Sequence, residues 1–200
     1  MPYLILDLEM SGTEAGFHDI IQIGAVLSDN EWNKIGEFES LVYPENEDAF
    51  STSAEDIHGI SIYDLEEAPM AYEVFEDLEK WLRKTLRRQP NDALRDVVMC
   101  GQSVINDINF LKIKFSELNV DWPFSGRLLD LVSITTLMNK VNESNGKQKP
   151  AGYSLTAVAG FFQLKREDEL HNALEDARLT YLCFKKYFEL AAKLKFMEED

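Results

Sequence analysis

Tyr3-Leu4-Ile5-Leu6-Asp7-Leu8-Glu9 opens the chain, and Asp19-Ile20-Ile21-Gln22-Ile23-Gly24-Ala25-Val26-Leu27 follows closely. Both runs are short and dominated by apolar, often branched side chains, the mark of strands buried in a sheet. Asp29-Asn30 is a turn signal. Residues 31–43 then alternate loosely, with Ile35, Phe38, Leu41 and Tyr43 apolar, and read as a third strand returning along the second as a hairpin. The sheet therefore starts antiparallel.

Residues 44–53 read as loop. Ser53-Ala54-Glu55-Asp56 starts a short helical piece that ends at Gly59, and Ser61-Ile62-Tyr63-Asp64 opens a further turn closed by Pro69. Ala71, Val74, Phe75, Leu78, Trp81, Leu82 and Leu86 recur at helical spacing, which predicts a long amphipathic helix over 70–86. Residues 96–100 give a fourth strand ended by Gly101, and 104–118 a helix. Residues 128–131 give a short fifth strand running into helix up to about 141. The polar stretch 142–152 reads as a mobile loop. Residues 154–162 form a helix with Ser154 as its cap. After a break at 169–171, the last helix spans 173–195, with Ala173, Ala177, Tyr181, Phe184 and Phe188 on its inner stripe. Strands that arrive through helical crossovers run parallel to the first. The expected fold is a single α/β domain, residues 1–200, with a mixed five-stranded sheet and helices on both faces.

No stretch approaches 18 consecutive apolar residues, so no membrane span is expected. The first residues meet Asp7 without a basic start or a cleavage site, unlike a secretory signal. Cys100 and Cys183 lie in apolar runs and read as buried thiols of a reducing, cytoplasmic compartment. Twenty Lys plus Arg against 36 Asp plus Glu give a net charge of −16. Such a surface repels polyphosphate and argues against a protein that coats long duplexes by counterion release. It leaves room for a nucleic-acid enzyme whose positive charge comes from bound metal ions. Between residues 37 and 79 there are 14 acids and no Lys or Arg; Lys80, Arg83, Lys84, Arg87 and Arg88 follow at once. This reads as a solvated acidic face followed by the basic last turns of a helix. The alternative is a docking patch for an anionic strand or partner.

Asp7 and Glu9 stand two apart on the first strand, so both point to the face that carries Ile5. Two carboxylates at the end of a buried strand raise one another's pKa or demand a cation. Asp107 falls in the first turns of the helix that opens after the fourth strand, where the helix dipole favours an acid. His171 and Asp176 are five apart. On one helix they would not share a face; with His171 in the preceding loop and Asp176 inside the helix, both can approach one point.

Three segments together carry a resemblance. Leu4-Ile5-Leu6-Asp7-Leu8-Glu9-Met10-Ser11-Gly12, the stretch from Gly101 to Leu111, and His171-Asn172-Ala173-Leu174-Glu175-Asp176-Ala177-Arg178 resemble the three motifs of the DnaQ-like (DEDDh) 3′–5′ exonucleases, which have a ribonuclease H-like fold. The motifs are Asp-x-Glu on the first strand, a segment ending Asp-x-x-Phe-Leu, and His-x4-Asp at the last helix. Gln102-Ser103 stands where His-Asn is frequent, and Asn106 where Phe is frequent. Asp7-Leu8-Glu9-Met10-Ser11-Gly12 with Gly101-Gln102-Ser103 is similar to the oligoribonuclease branch, whereas Ile57-His58-Gly59-Ile60 looks more like the proofreading branch.

The resemblance implies that Asp7, Glu9, Asp107 and Asp176 carry two divalent ions, Mg²⁺ or Mn²⁺, and that His171 is the general base. Hard ions want oxygen ligands, which suits four carboxylates. An imidazole with a pKa near ~6.5 suits proton transfer at neutral pH. Met10, Ser11 and Gly12 are placed to line the pocket by backbone and side-chain contact, with His58 a further substrate-binding candidate and Phe17 able to stack on a base. The expected activity is stepwise release of nucleoside 5′-monophosphates from the 3′ end of single-stranded DNA or RNA. Alternatives are an oligoribonuclease-like enzyme acting on very short RNA, a ribonuclease H-like endonuclease, and a non-catalytic interaction module docking through its acidic face. A polymerase or other protein partner and a homodimer stay open.

Overall fold

The computed structural model describes residues 1–167 and 170–194. The sheet holds β1 (Tyr3–Met10), β2 (Ile20–Ser28), β3 (Lys34–Leu41), β4 (Val98–Gly101) and β5 (Leu128–Asp130), in the order β3-β2-β1-β4-β5. β1–β2 and β2–β3 are antiparallel; β1–β4 and β4–β5 are parallel. The helices are α1 (Thr52–His58), α2 (Ala71–Thr85), α3 (Ile105–Glu117), α4 (Leu131–Ser144), α5 (Leu155–Phe161) and α6 (Ala173–Ala191). This is the expected mixed sheet with helices on both faces.

Alternation along β1 divides the core. Leu4, Leu6 and Leu8 join Val74, Phe75 and Leu78 of α2 and Ile108, Leu111 and Phe115 of α3. Ile5 turns the other way and packs with Val158 of α5 and Ala177, Cys183 and Phe184 of α6. Each large apolar side chain buried this way contributes roughly 1.5–3 kcal/mol. Asp7 and Glu9 continue the Ile5 side, and β4 pairs with β1 only through Tyr3, Leu4 and Ile5. Past Ile5 the strand outruns its parallel neighbour. A cleft opens there, at the carboxyl ends of the parallel strands, where open α/β sheets place their ligands.

Several boundaries differ from the sequence reading. β3 begins at Lys34, not 31, because Asp29 Oδ1 accepts the amides of Glu31 (2.8 Å) and Asn33 (2.9 Å) and keeps them in the turn. Trp32 there takes φ 60° and packs its ring on Tyr3, Phe184 and Phe188. The loop 44–53 contains a 3-10 turn, Glu47–Ala49, and α1 starts at Thr52 with Ser51 in the cap position. β4 begins at Val98, since Arg88 claims Asp96 (2.6 and 2.8 Å) and the Val97 amide closes a turn on Leu94. α4 reaches Ser144, so part of the stretch read as loop is the solvent face of a last helical turn: polarity there reports exposure, not conformation. Gly59 ends α1 in the left-handed region as expected, and Ser154 caps α5. Residue 169 of the expected break and residue 195 of the last helix lie outside the described residues.

Candidate active site

Two close docking arrangements bring the acids together. Asp7 pairs across the sheet with Gly24. A Cβ on Gly24 would lie 2.1 Å from the backbone of Ala173 and Leu174, so the start of α6 rests directly on β2. Gln22 accepts the Ala173 amide at 3.0 Å, and Gln22 and Asn172 both donate to Glu39 at 3.1 Å. Asn172 caps α6 by accepting the Glu175 amide (2.9 Å), and the His171 amide donates to the Ile57 carbonyl (3.0 Å). These contacts put Asp176, in the first turn of α6, over β1 and leave His171 in the preceding loop. On the other side, Asp130 uses one oxygen to accept the Val104 amide and the other to accept that of Val132, both at 2.8 Å. It ties the start of α3, and with it Asp107, to the start of α4.

Asp7, Glu9, Met10, Asp107, His171 and Asp176 consequently line one cleft of about 500 Å³. Ligand atoms of Glu9, His171 and Asp176 lie within 4.8 Å of one another. Burial, then the charges of Asp107, Asp176 and Glu9, hold the Asp7 carboxyl well above its usual range. Burial and Asp176 push Glu9 up to about 8. Burial raises Asp107 to about 7, although the amides of Asp107 and Leu8 pull the other way. Glu9 Oε1 is buried without a hydrogen-bond partner. Crowded oxygen acids that resist ionisation, one with an orphaned oxygen, are a fitting donor set for hard divalent cations.

His171 Nδ1 lies 3.3 Å from Asp176 Oδ2. Burial first, then Arg166, lowers its pKa, with Asp176 opposing. Burial thus favours the neutral imidazole. Arg166 enters the cleft without having been read from any motif. Its Nε and Nη2 donate to both oxygens of Asp176 (2.5 and 2.7 Å), and its Nη1 donates to His171 Nε2 (3.1 Å). Lys165-Arg166 in a polar break looks like any solvated pair; only the fold around it reveals the target.

The expected substrate contacts divide. Met10 lines the cleft and, with Gly12 and His58, an adjoining pocket of about 280 Å³. Gly12 lies under the His18 ring, 2.1 Å from where a Cβ would stand. His58 is buried and its Nδ1 accepts the Ile60 amide (3.0 Å), which leaves Nε2 carrying the hydrogen, unpartnered. Side-chain contact through Ser11 is corrected: its hydroxyl is buried and accepts the Asp19 amide at 2.9 Å, and its carbonyl accepts the Ser51 amide at 2.8 Å, so it braces two loops. Phe17 is 54% exposed but lines a different pocket, with Lys114 and Glu117. The basic cluster after the acidic stretch is largely paired: Lys80 with Glu76, Arg83 with Glu79, Arg88 with Asp96. Cys100 and Cys183 are free, buried thiols whose pKa burial raises, Cys183 to about 12. No helix among the described residues is long and apolar enough to cross a membrane.

The Exonuclease family model (RNase T) matches residues 4–184. The chain belongs to that exonuclease family. The exonuclease chain is 27% identical over 188 residues to a protein named 3′-5′ exonuclease DinG from Staphylococcus haemolyticus, covering 94% of this chain and 18% of that protein. It therefore spans about a fifth of the length of the DinG relatives it matches. It is 26% identical over 199 residues to the oligoribonuclease of Vibrio campbellii, covering 94% of each. Among solved structures, the nuclease domain of 3′hExo, a DEDDh family member bound to rAMP, superimposes with a TM-score of 0.75 at 17% identity, over 100% of this chain and 97% of that one. The expected exonuclease family and the expected fold both hold.

Proposed function

We propose that this chain is a metal-dependent 3′–5′ exonuclease that hydrolyses phosphodiester bonds at the 3′ end of single-stranded DNA or RNA and releases nucleoside 5′-monophosphates. The observation that carries the reading is the convergence of four carboxyl groups and one imidazole on a single cleft, with Glu9 Oε1 left without a partner. Membership of the exonuclease family and the relatives named 3′-5′ exonuclease and oligoribonuclease support it.

Asp7, Glu9, Asp107 and Asp176 would hold two divalent cations, Mg²⁺ or Mn²⁺, which when bound supply charge neutralisation and Lewis acidity at the phosphate. The chain's own residues do the rest. Asp176 Oδ2 lies 3.3 Å from His171 Nδ1 and Arg166 Nη1 donates to Nε2, an arrangement that suits the tautomer with Nε2 as the basic nitrogen. His171 Nε2 takes the proton of the attacking water. Met10, Gly12 and His58 border the pocket suited to the terminal nucleoside, with His58 Nε2–H as a buried donor. A chain end can enter such a pocket where a continuous strand cannot, which accounts for attack from an end.

A second reading has its own support. Asp7-Leu8-Glu9-Met10-Ser11-Gly12 resembles the oligoribonuclease branch, and the oligoribonuclease relative is matched over nearly its whole length. On that reading the preferred substrate is very short RNA. Digestion of matched 5′-labelled DNA and RNA oligomers, short and long, with product sizing separates the two. Stepwise shortening from the 3′ end with monophosphate release is expected. Opening of a circular single strand would replace the exonuclease with an endonuclease, and Mn²⁺-independence or inertness on all substrates would reject the reading.

A further inference from the structure

Arg166 is the one Lys or Arg among the described residues lining the catalytic cleft. It occupies the two groups to which the chemistry is assigned. Its fork spans both oxygens of Asp176, and Nη1 sits on the lone pair of His171 Nε2. A bidentate guanidinium–carboxylate pair is strong and geometrically specific. Yet it is incompatible with the work of both partners. The guanidinium charge on both oxygens of Asp176 opposes a divalent cation there, and Nε2, with a single lone pair, cannot accept a proton while it accepts Nη1.

Arg166 must therefore leave for the reaction to proceed, and its setting allows that. Residues 164–166 have no helical or strand structure and connect the end of α5 to the His171 loop, so the side chain is not fixed by a helix. What arrives in the cleft with substrate is a phosphate, and a guanidinium fork matches two phosphate oxygens as it matches two carboxylate oxygens. Among the described residues, a chain of net charge −16 brings no other Lys or Arg to this cleft to meet it.

We propose that Arg166 exchanges partners: it holds Asp176 and His171 before loading, and releases both to grip the phosphate of the bound nucleotide. The proposal rests on the nuclease reading above. Arg166 is then a substrate-holding residue whose charge also competes with a cation for Asp176.

Calorimetric titrations of the full chain at pH 7.5 test this. Mn²⁺ is titrated into the wild type and Arg166→Ala; then adenosine 5′-monophosphate and adenosine are titrated separately in saturating Mn²⁺. Arg166→Ala should bind Mn²⁺ several-fold more tightly, because the competitor for Asp176 is gone. It should bind the monophosphate at least about tenfold more weakly while its adenosine affinity stays unchanged, as expected for one lost charge-assisted contact. Arg166→Lys keeps the charge without the fork, should recover part of the monophosphate affinity, and serves if the alanine variant does not fold. Unchanged or weakened Mn²⁺ binding, or equal losses for monophosphate and adenosine, would overturn the exchange. Failure of the nuclease reading looks different: the wild type itself would bind neither Mn²⁺ nor the monophosphate.

Discussion

Replacing Glu9 with Gln should stabilise the protein when metal is withheld and abolish its response to metal. Glu9 is 7% exposed, its Oε1 has no partner, and its carboxyl is pushed up to about 8 from an ordinary value of 4.5. Because the folded pKa lies above the unfolded one, the folded chain holds more protons in that window. Stability therefore falls as pH rises through it, and the penalty is complete above about 8. With roughly 1.4 kcal/mol per pKa unit, the burden at pH 7 is about 3 kcal/mol relative to a side chain that never ionises. Glutamine has the same shape and no charge to bury. The melting temperature of Glu9→Gln in EDTA at pH 7.5 should thus exceed the wild type's by several degrees, at about 2–4 °C per kcal/mol for a chain of this size. The gap should narrow at pH 5.5, only about one unit above the ordinary 4.5, where ionisation in the unfolded chain contributes less. Mn²⁺ at a hundred times its dissociation constant should stabilise the wild type by about 2.7 kcal/mol and leave the variant unmoved. Differential scanning fluorimetry with and without Mn²⁺ at the two pH values reads all of this. A variant that melts lower than the wild type in EDTA, or that keeps the full Mn²⁺ shift, would refute the reasoning.

Further outcomes follow from other contacts. His171 is held below 6.5 and must be neutral to take a proton, so the acid limb of the exonuclease pH–rate profile should fall below 6.5 and change shape in His171→Ala. Gly24→Ala should cost on the order of 2–4 kcal/mol, because its methyl meets the backbone of Ala173 rather than a side chain that could swing away; lower melting temperature and loss of Mn²⁺ binding together would show α6 displaced. Glu37, paired with Arg178 at 2.7 Å, has its carboxyl lowered to about 2. Its contribution, about 0.5–1 kcal/mol for a partly exposed pair, is present above pH 4.5 and lost as pH falls toward 2; Arg178→Ala should remove that part of the acid sensitivity in urea titrations.

The face of β1 was legible because strand geometry forces it: once residues 3–9 are a strand, Asp7 and Glu9 must share the side of Ile5. The strand directions followed from the same logic of hairpin and crossover. The contacts that bring the motifs together were not legible. Gly24 reads as a weak point in a strand until the end of a helix is seen resting on it. Asp130 reads as the end of β5, yet its two oxygens anchor the starts of two helices. Ser11 looks like a pocket-lining hydroxyl, but its partner is the amide of Asp19 on the far side of a loop. Arg166 lay hidden for the opposite reason. Its charge suggests solvent, and nothing in its neighbours along the chain points to the buried carboxylate that draws it in.

The central claim is that Asp7, Glu9, Asp107 and Asp176 form one divalent-cation site in which nucleotide phosphate is cleaved. Anomalous diffraction at the manganese edge, from crystals soaked in Mn²⁺ and adenosine 5′-monophosphate, tests it most directly. Two peaks among these four carboxylates, with the monophosphate's phosphate against them, is the expected result. Peaks confined to the exposed acids of residues 37–79, with the cleft free of manganese, would contradict it.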